Sequence, residues 1–497
     1  MKMAKDKKRG ITALFFIQLF STLSFSVLYS TLVLYTTKGL NLDADLAVAI
    51  AGSFIAFNYF LHLLGGYIGG RYLSYRFLFC LGMVAQTIGC LILAMTNLAS
   101  LYWGLAIFLA GCGLNVTCIN CMLTQLFDPS DKNRESAFLW NYSGMNIGFF
   151  IGFTVSGYLQ LSQSYHLLFL STAVSNLIAI ALTIFNWKIL KDVGTHLTHI
   201  AAKKQFRLGI LGVGMIIILG LVLRYLLTHA IFSNDFIMIV GALMLATIGG
   251  IAFQQKVQEA GKKIWAFLIL SLASLIYWTL YYMSPMGLTL FYIHNVDHTF
   301  SGFTVPPQWL LNINTIIIII AGPSLAHFLK WMRSKGKTVR IPYQFALSLL
   351  LIGIGFVILP LGIHFASRTG MTSFSWIVLS YVCQSLGEIL ISPIGYAMIG
   401  QLIPAKLQGL MMGTWLMISG VAATLSNTFS RMSFDKSNLA KPLLTNPSFA
   451  KSFNILGWSA IGAALLLACL FPFLKKLIQE KKPHDQPHLF NAPEDTP

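Results

Sequence analysis

Long apolar segments alternate with short polar turns along nearly the whole chain. Each segment runs for about 20 residues with few charged side chains, which is the length that an α-helix needs to cross a membrane. The pattern predicts fourteen membrane-spanning helices over residues 11–37, 47–69, 76–96, 98–124, 137–160, 166–187, 208–228, 231–253, 264–283, 308–329, 343–365, 374–400, 409–430 and 454–474. We therefore expect an all-α integral membrane protein.

Composition agrees with this interpretation. The 497 residues are 56% hydrophobic and only 10% charged, whereas a soluble domain carries about 25% charged residues. The net charge of +18 would fit a nucleic-acid-binding protein if the cations formed one patch. The Lys and Arg residues fall instead in the short turns, so we predict the lipid bilayer and no nucleic acid as a partner.

Basic residues concentrate in every second turn. With a cytoplasmic N-terminus, the inside turns carry Arg71, Arg76, Lys132, Arg134, Lys188, Lys191, Lys203, Lys204, Arg207, Lys256, Lys262, Lys263, Lys330, Arg333, Lys335, Lys337, Arg340 and Lys406, and the tail adds four more lysines. The loop after the thirteenth span is an exception, because it places Arg431, Lys436, Lys441 and Lys451 outside. The remaining alternation predicts an inner-membrane protein with both termini in the cytoplasm.

The spans fall into two groups of six with an insert between them. We predict an N-terminal six-helix bundle over residues 1–190, a linker and two-helix insert over 191–260, and a C-terminal six-helix bundle over 261–478. Residues 479–497 are polar and Pro-rich and are predicted to be a disordered cytoplasmic tail. This is the layout of a two-bundle secondary transporter, which binds its substrate at mid-membrane between the bundles.

One carboxylate lies well inside an apolar segment. Glu388 belongs to the stretch from Gln384 to Trp415, which predicts a helix, a short turn at 404–406 and a second helix. A charge at this depth costs about 2.5–3.5 kcal/mol, so it marks a functional site by default. Either Glu388 is protonated while the site is empty, or it pairs with a cationic group of the substrate. A protonated Glu that only bonds to a neighbouring helix is the structural alternative.

Polar stripes on several spans predict a hydrated cavity. In the first span Gln18, Thr22, Ser26 and Tyr29 share one helical face. Further polar side chains on other spans are Asn58, Tyr59, His62, Asn115, Thr117, Asn120, Gln125, Trp140, Asn141, Tyr142, Asn146, Tyr381, Gln384, Ser385 and Ser392. Single residues of this kind commonly make interhelical hydrogen bonds, worth about 0.6 kcal/mol each. Their occurrence on several spans favours a ligand-filled cavity.

No cofactor is predicted. The chain has no nucleotide-binding P-loop, and the seven Cys residues are spread through apolar segments as small hydrophobic residues. His294, Asp297 and His298 have a spacing that would suit a metal, but solvation of a loop end explains them better. Paired acids and nucleophile–base sets are also missing at membrane depth, so we do not expect an enzyme.

Several segments resemble the proton-dependent oligopeptide transporter family of the major facilitator superfamily. The clearest segments are AFNYFLHLLGGYIGGRYLSYR (56–76), SAFLWNYSGMNIGFFIG (136–152), NVDHTFSGFTVPPQW (295–309) and GEILISPIGYAMIGQLIPAKLQGLMMGTW (387–415). The resemblance implies import of di- and tripeptides, driven by protons, through alternating access of the two bundles. It also implies that Asn146 and Glu388 hold the peptide amino group and that Tyr59 and Asn314 line the pocket.

The chain departs from the family in the residues that receive a peptide carboxylate. The family's first span carries Glu-x-x-Glu-Arg-Phe, and the aligned positions here include Gln18, Ser21 and Thr22. A basic position one turn further on is Tyr29, and the Lys of the fourth span aligns with Val116. The resemblance therefore implies a pocket that keeps its amine-binding residues and lacks the cations for a carboxylate.

These inferences predict a secondary active transporter of symporter type. It moves small peptides or peptide-like amine-bearing solutes across the inner membrane by alternating access, with proton-coupled import, and acts as a monomer. The candidate substrate-binding residues are Asn146, Glu388, Tyr59, Asn314, Gln18, Thr22, Tyr29, Tyr142 and Ser385, with Glu388 also as the proton-coupling residue.

Two alternatives stay open. One is a divergent carrier of a non-peptide metabolite, such as a siderophore or drug-like compound, without proton coupling. The other is a membrane receptor that has lost transport.

Overall fold

The computed structural model describes residues 2–127, 133–255, 258–335, 340–403, 405–433 and 441–478. Within them the α-helices are α1 Lys2–Leu34, α2 Ala44–Ile68, α3 Tyr75–Leu93, α4 Leu98–Gln125, α5 Asn133–Leu161, α6 Tyr165–Phe185, α7 Ala202–Thr228, α8 Ala230–Phe253, α9 Gln258–Tyr281, α10 Gly287–Asn295, α11 Gln308–Ser334, α12 Ile341–His364, α13 Phe374–Leu402, α14 Ala405–Met432, α15 Pro442–Cys469 and α16 Phe471–Ile478. The predicted tail, 479–497, lies outside the described residues, and so does Pro404 of the predicted turn.

Each of the fourteen predicted spans coincides with one long helix, so the all-α prediction is confirmed. Within the described residues, eleven helices are long and apolar enough to cross a membrane by composition alone. In α11 the apolar stretch found among the described residues is Gln308–Gly322. The pattern did not reveal α10 and α16, because helices of nine and eight residues are too short for a spanning-length window.

Local sequence explains several helix boundaries. The side chain of Asn97 accepts a hydrogen bond from Ser100 N at 2.8 Å, and Asn97 N donates to Ser100 Oγ at 3.0 Å. This reciprocal pair satisfies two backbone donors at the start of α4. Inside the bundle, a Cβ on Gly111 of α4 would lie 2.1 Å from the carbonyl oxygen of Gly82 on α3. Glycine is therefore required where these two helix backbones touch.

The helices form two six-helix bundles and a two-helix insert. The first bundle is α1–α6 and the second is α9 with α11–α15. The insert contacts both bundles, since α7 packs on α4 while α8 packs on α2, α9 and α14. Ser53 Oγ of α2 donates to Asn234 Oδ1 of α8 at 3.2 Å, and Gly241 of α8 packs on Val421 of α14.

The two bundles meet along what we call the distal seam. It comprises the contacts of α2 with α14 and of α5 with α11. These contacts lie near the distal end of the molecule, which is the end opposite to the one where α1 begins. Arg431 Nε and Nη2 donate to the two carboxylate oxygens of Asp45 at 2.5 and 2.7 Å. Trp309 Nε1 donates to Thr154 O at 3.1 Å. These contacts close the molecule at its distal end.

Short strands lie at the same end. Strand β1 (Val296–Asp297) pairs in parallel with β4 (Thr372–Ser373), and β2 (Thr299–Phe300) pairs antiparallel with β3 (Phe303–Thr304). The pair β1–β4 joins the segment after α10 to the start of α13. It thereby fixes the distal end of the helix that carries Glu388.

Candidate functional site

Glu388 lies at the midpoint of α13. It is the fifteenth of the 29 residues that run from Phe374 to Leu402. Asn314 Nδ2 of α11 donates to Glu388 Oε2 at 2.6 Å and approaches Ser385 Oγ at 3.2 Å. Tyr281 of α9 lies close enough to Glu388 for electrostatic interaction with the carboxylate. The polar groups recorded beside this side chain in the second bundle are therefore neutral.

Tyrosines of the first bundle face the same carboxylate. Tyr29 of α1 lies close enough to Glu388, Tyr59 and Tyr381 for electrostatic interaction with each. The Tyr59 ring packs on the Tyr282 ring with centroids 5.7 Å apart. The carboxylate therefore lies at the junction of the two bundles, where their relative movement would change its surroundings.

A second polar cluster lies on the first bundle. Gln18 Nε2 donates to Thr22 Oγ1 at 2.8 Å, and Asn141 Nδ2 of α5 donates to Gln18 Oε1 at 3.3 Å. Thr22 and Tyr29 are seven residues apart and share a helix face, which separates them by about 10 Å along α1. We call Gln18, Thr22 and Asn141 the amide wall. It is uncharged.

Two predicted residues lie apart from the contacts of Glu388. Asn146 is buried, and its Nδ2 donates to Tyr142 O of its own helix at 2.9 Å. The Tyr142 ring is exposed. The Asn146 amide donates within its own helix, and the predicted roles of Asn146 and Tyr142 toward a substrate stay predictions.

Sequence reasoning missed the aromatic residues of α9. Tyr277, Tyr281 and Tyr282 pack around the Glu388 region, with the Tyr277 and Tyr281 rings 6.2 Å apart. The Tyr277 hydroxyl donates to Gln384 O at 2.7 Å, one turn before Glu388. The segment YWTLYY (277–282) carries the available signal, because Tyr residues at i and i+4 share one helical face. Such a stripe fits an aromatic core equally well.

Two further features of the described residues are the arrangement of possible metal ligands and the state of the cysteines. In the part of the chain that the structure describes, no group of three His, Cys, Asp or Glu side chains could hold a metal ion. All seven cysteines lie within that part, and each is a free thiol.

Comparisons with known proteins relate the whole chain to transporters. It is 28% identical over 489 residues to dipeptide and tripeptide permease A of Cronobacter turicensis, covering 97% of this chain and 96% of that protein. It is 29% identical over 480 residues to the permease of the same name from Escherichia coli, covering 96% and 95%.

Solved structures show the same fold. The chain superimposes on the crystal structure of a peptide transporter POT in complex with sulfate with a TM-score of 0.81 at 24% identity, over 94% of this chain and 95% of that one. It superimposes on tetrameric PepTSo2 with a TM-score of 0.82 at 22% identity, over 95% and 99%. The model of the POT family matches residues 75–443, well over half of the chain. With two six-helix bundles and a match of this extent, the chain belongs to the POT family of membrane transporters.

Proposed function

We propose that the protein imports small peptides or peptide-like amine-bearing solutes across the inner membrane by alternating access. The observation that carries the proposal is Glu388, a carboxylate at the midpoint of α13 that accepts a hydrogen bond from Asn314 and is approached by Tyr281 and, from the opposite bundle, by Tyr29. Organic ammonium groups bind where a carboxylate and aromatic faces converge. The names of the permease relatives support a peptide as the solute.

The closed distal seam assigns a state in this cycle. With both termini in the cytoplasm, as the basic turns predict, the distal end is the outer end. The structure is then closed toward the outside, which excludes the outward-open state and supports a conformation from which a solute at Glu388 is released to the cytoplasm. Loss of the Asp45–Arg431 ion pair and of the α5–α11 contacts would accompany the outward-facing state.

Protons are the proposed driving ion, with Glu388 as the coupling residue. The carboxylate takes up either a proton or the ammonium group of the solute and releases it when the bundles exchange states. We assign the amine-binding role to Asn146 together with Glu388, and pocket-lining roles to Tyr59, Asn314, Gln18, Thr22, Tyr29, Tyr142 and Ser385.

We also propose that the chain has two moving parts and that one chain forms the transporter. Residues 1–190 and 261–478 move as two bodies joined by the linker and insert, 191–260. The two bundles that meet at Glu388 are both formed by one chain, which supports a monomer as the transporting unit. Transport by this route makes and breaks no covalent bond, and the protein is not an enzyme.

Uptake into proteoliposomes tests the function. Purified protein should accumulate a radiolabelled di- or tripeptide, or its amide, when a proton gradient (acid outside) is imposed, and a protonophore should abolish the accumulation. Glu388→Gln should transport at background level between about pH 5 and pH 8. Equal uptake by wild type and Glu388→Gln across that range would refute the role of Glu388. Accumulation that continues in the presence of the protonophore would refute proton coupling.

A further inference from the structure

The site around Glu388 has the composition of an organic-cation site. The carboxylate is flanked by the Tyr281 hydroxyl and faces Tyr29, and the Tyr59 and Tyr282 rings pack together beside it. Tyrosine faces attract ammonium groups through their quadrupole, and a carboxylate adds a full opposite charge. This part of the pocket can therefore neutralise one positive charge of a bound solute.

The amide wall begins on the face of α1 that also carries Tyr29 and offers hydrogen bonds without charge. The amide wall is a chain of neutral groups, in which Asn141 donates to Gln18 and Gln18 donates to Thr22. Asn141 Oδ1 is buried and has no hydrogen-bond partner. A dipeptide spans about 7 Å, so a solute that is anchored by its amine near Tyr29 and extends along α1 toward Thr22 brings its other end close to this wall.

The sequence provides no cation to neutralise a carboxylate at that end. When it is ionised, Glu388 contributes one negative charge to the interior of the helices that form the site. Lys and Arg are absent throughout the segments that form them, namely residues 10–37, 39–70, 77–131, 135–187, 264–329 and 369–405. Arg224 lies on the insert helix α7, where its guanidinium stacks on the Trp103 ring at 4.3 Å.

Charge balance then distinguishes between solutes. A monocation brings the ionised site to neutrality. A zwitterion neutralises Glu388 with its ammonium but leaves its own carboxylate buried beside amide groups, and an unpaired charge in a low-dielectric site is strongly unfavourable.

We propose that the substrates are monocations, with a free ammonium group at Glu388 and an uncharged hydrogen-bonding group at the other end, as in dipeptide amides. This inference rests on the proposed function and narrows its substrate class. Solutes with a free carboxylate bind more weakly because the amide wall carries no cation to receive it.

Calorimetric titration of the purified protein at about pH 6.5, where a peptide amine is protonated, tests the inference. The four probes are Ala-Ala amide, Ala-Ala, N-acetyl-Ala-Ala amide and N-acetyl-Ala-Ala. The amide with a free amine should bind at least about tenfold more tightly than Ala-Ala, and the acetylated probes should not bind. Binding of Ala-Ala that equals or exceeds that of its amide would overturn the inference.

Two variants complete the design. Glu388→Gln should lose the preference for the cationic probe. Asp192→Asn makes the same chemical change in a turn remote from the site and should keep the preference. Loss of the preference in Asp192→Asn as well would overturn the assignment to Glu388.

Failure of the inference is distinguishable from failure of the proposed function. Transport of Ala-Ala in preference to its amide would uphold peptide transport and overturn the monocation preference. Transport of neither free-amine probe into proteoliposomes would overturn both.

Discussion

Tyr277 and Tyr281 lie one turn apart on α9 but their hydroxyl groups have different surroundings. Tyr281 lies close enough to the Glu388 carboxylate for electrostatic interaction, whereas the Tyr277 hydroxyl donates to the backbone carbonyl of Gln384 at 2.7 Å. The two residues therefore permit a matched test of what the site requires, because the same atom is removed in each Tyr→Phe change.

We expect Tyr281→Phe to weaken solute binding. The change removes a polar hydroxyl beside the Glu388 carboxylate, which is worth about 1 kcal/mol, so the Kd should rise about fivefold. Tyr277→Phe should leave the Kd within about twofold and lower the thermal stability, because Gln384 O loses its side-chain donor. Titration with the best-bound amine measures the first effect, and a melting curve in detergent measures the second. A larger rise in Kd for Tyr277→Phe would contradict this division.

At this scale the sequence predicted the centre of the site better than its walls. Glu388 was predictable because a single carboxylate in an apolar segment has few structural explanations. Asn314 and Ser385 lie within hydrogen-bonding distance of each other beside it, although their contact depends on how α11 packs on α13. Tyr281 was missed because periodicity does not show whether an aromatic stripe faces a core or a cavity.

Helix α3 is attached to the turn after α6 through Asp192. Its carboxylate accepts hydrogen bonds from Tyr75 N at 3.0 and 3.3 Å, at the first residue of α3. Arg76 donates to Trp187 O and stacks on the Trp187 ring at 4.6 Å. Burial raises the pKa of the Asp192 carboxyl above its ordinary value, although the Tyr75 amide and Arg76 oppose this shift.

This environment predicts a pH dependence of stability. Because the folded state binds the Asp192 proton more tightly than the unfolded state, stability should fall as pH rises from about 4 through the raised pKa. Asp192→Asn should remove this component and flatten the melting temperature over that range. Melting curves of both proteins in detergent at closely spaced pH values give the comparison, and parallel curves would contradict the assignment.

The Asp45–Arg431 pair joins the two bundles at the distal seam. Side-chain exposure is 13% for Asp45 and 27% for Arg431, so solvent screens the pair only partly. Asp45→Asn should weaken closure of the seam by about 1–3 kcal/mol and increase the population of molecules open at that end. Distances between spin labels on α2 and α14 report this population. The exchanged pair, Asp45→Arg with Arg431→Asp, should restore the shorter distance, and a failure to do so would argue against a role for the ion pair.

Across the whole molecule, the helices were more predictable than their arrangement. Apolar length located all fourteen spans, because a membrane requires each segment to satisfy its own backbone hydrogen bonds. Contacts between bundles were not predictable, since they depend on small residues such as Gly52 that meet a particular partner in space. The short α10 was missed because its nine residues are too few for a spanning-length window, and its strand pairing was missed because it joins Val296 to Thr372, far along the chain.

The membrane topology, with both termini in the cytoplasm, is a prediction about the whole molecule. In a cysteine-free background, Arg368→Cys, in the turn between α12 and α13, should react with a membrane-impermeant maleimide in intact cells. Lys203→Cys, at the start of α7, should react only after lysis. Both residues are exposed, so access to the reagent depends on the side of the membrane. The opposite labelling pattern would invert the topology and the state assigned to the structure.

The close approach of α2 and α14 has a practical use. A Cβ on Gly52 would lie 2.6 Å from Asn427 Cβ, well inside van der Waals contact. Gly52→Leu would therefore act as a wedge that disfavours the present conformation while leaving Glu388 and its partners intact. Such a protein would be a suitable sample for imaging the opposite conformer by cryo-electron microscopy, without an antibody or inhibitor to trap it.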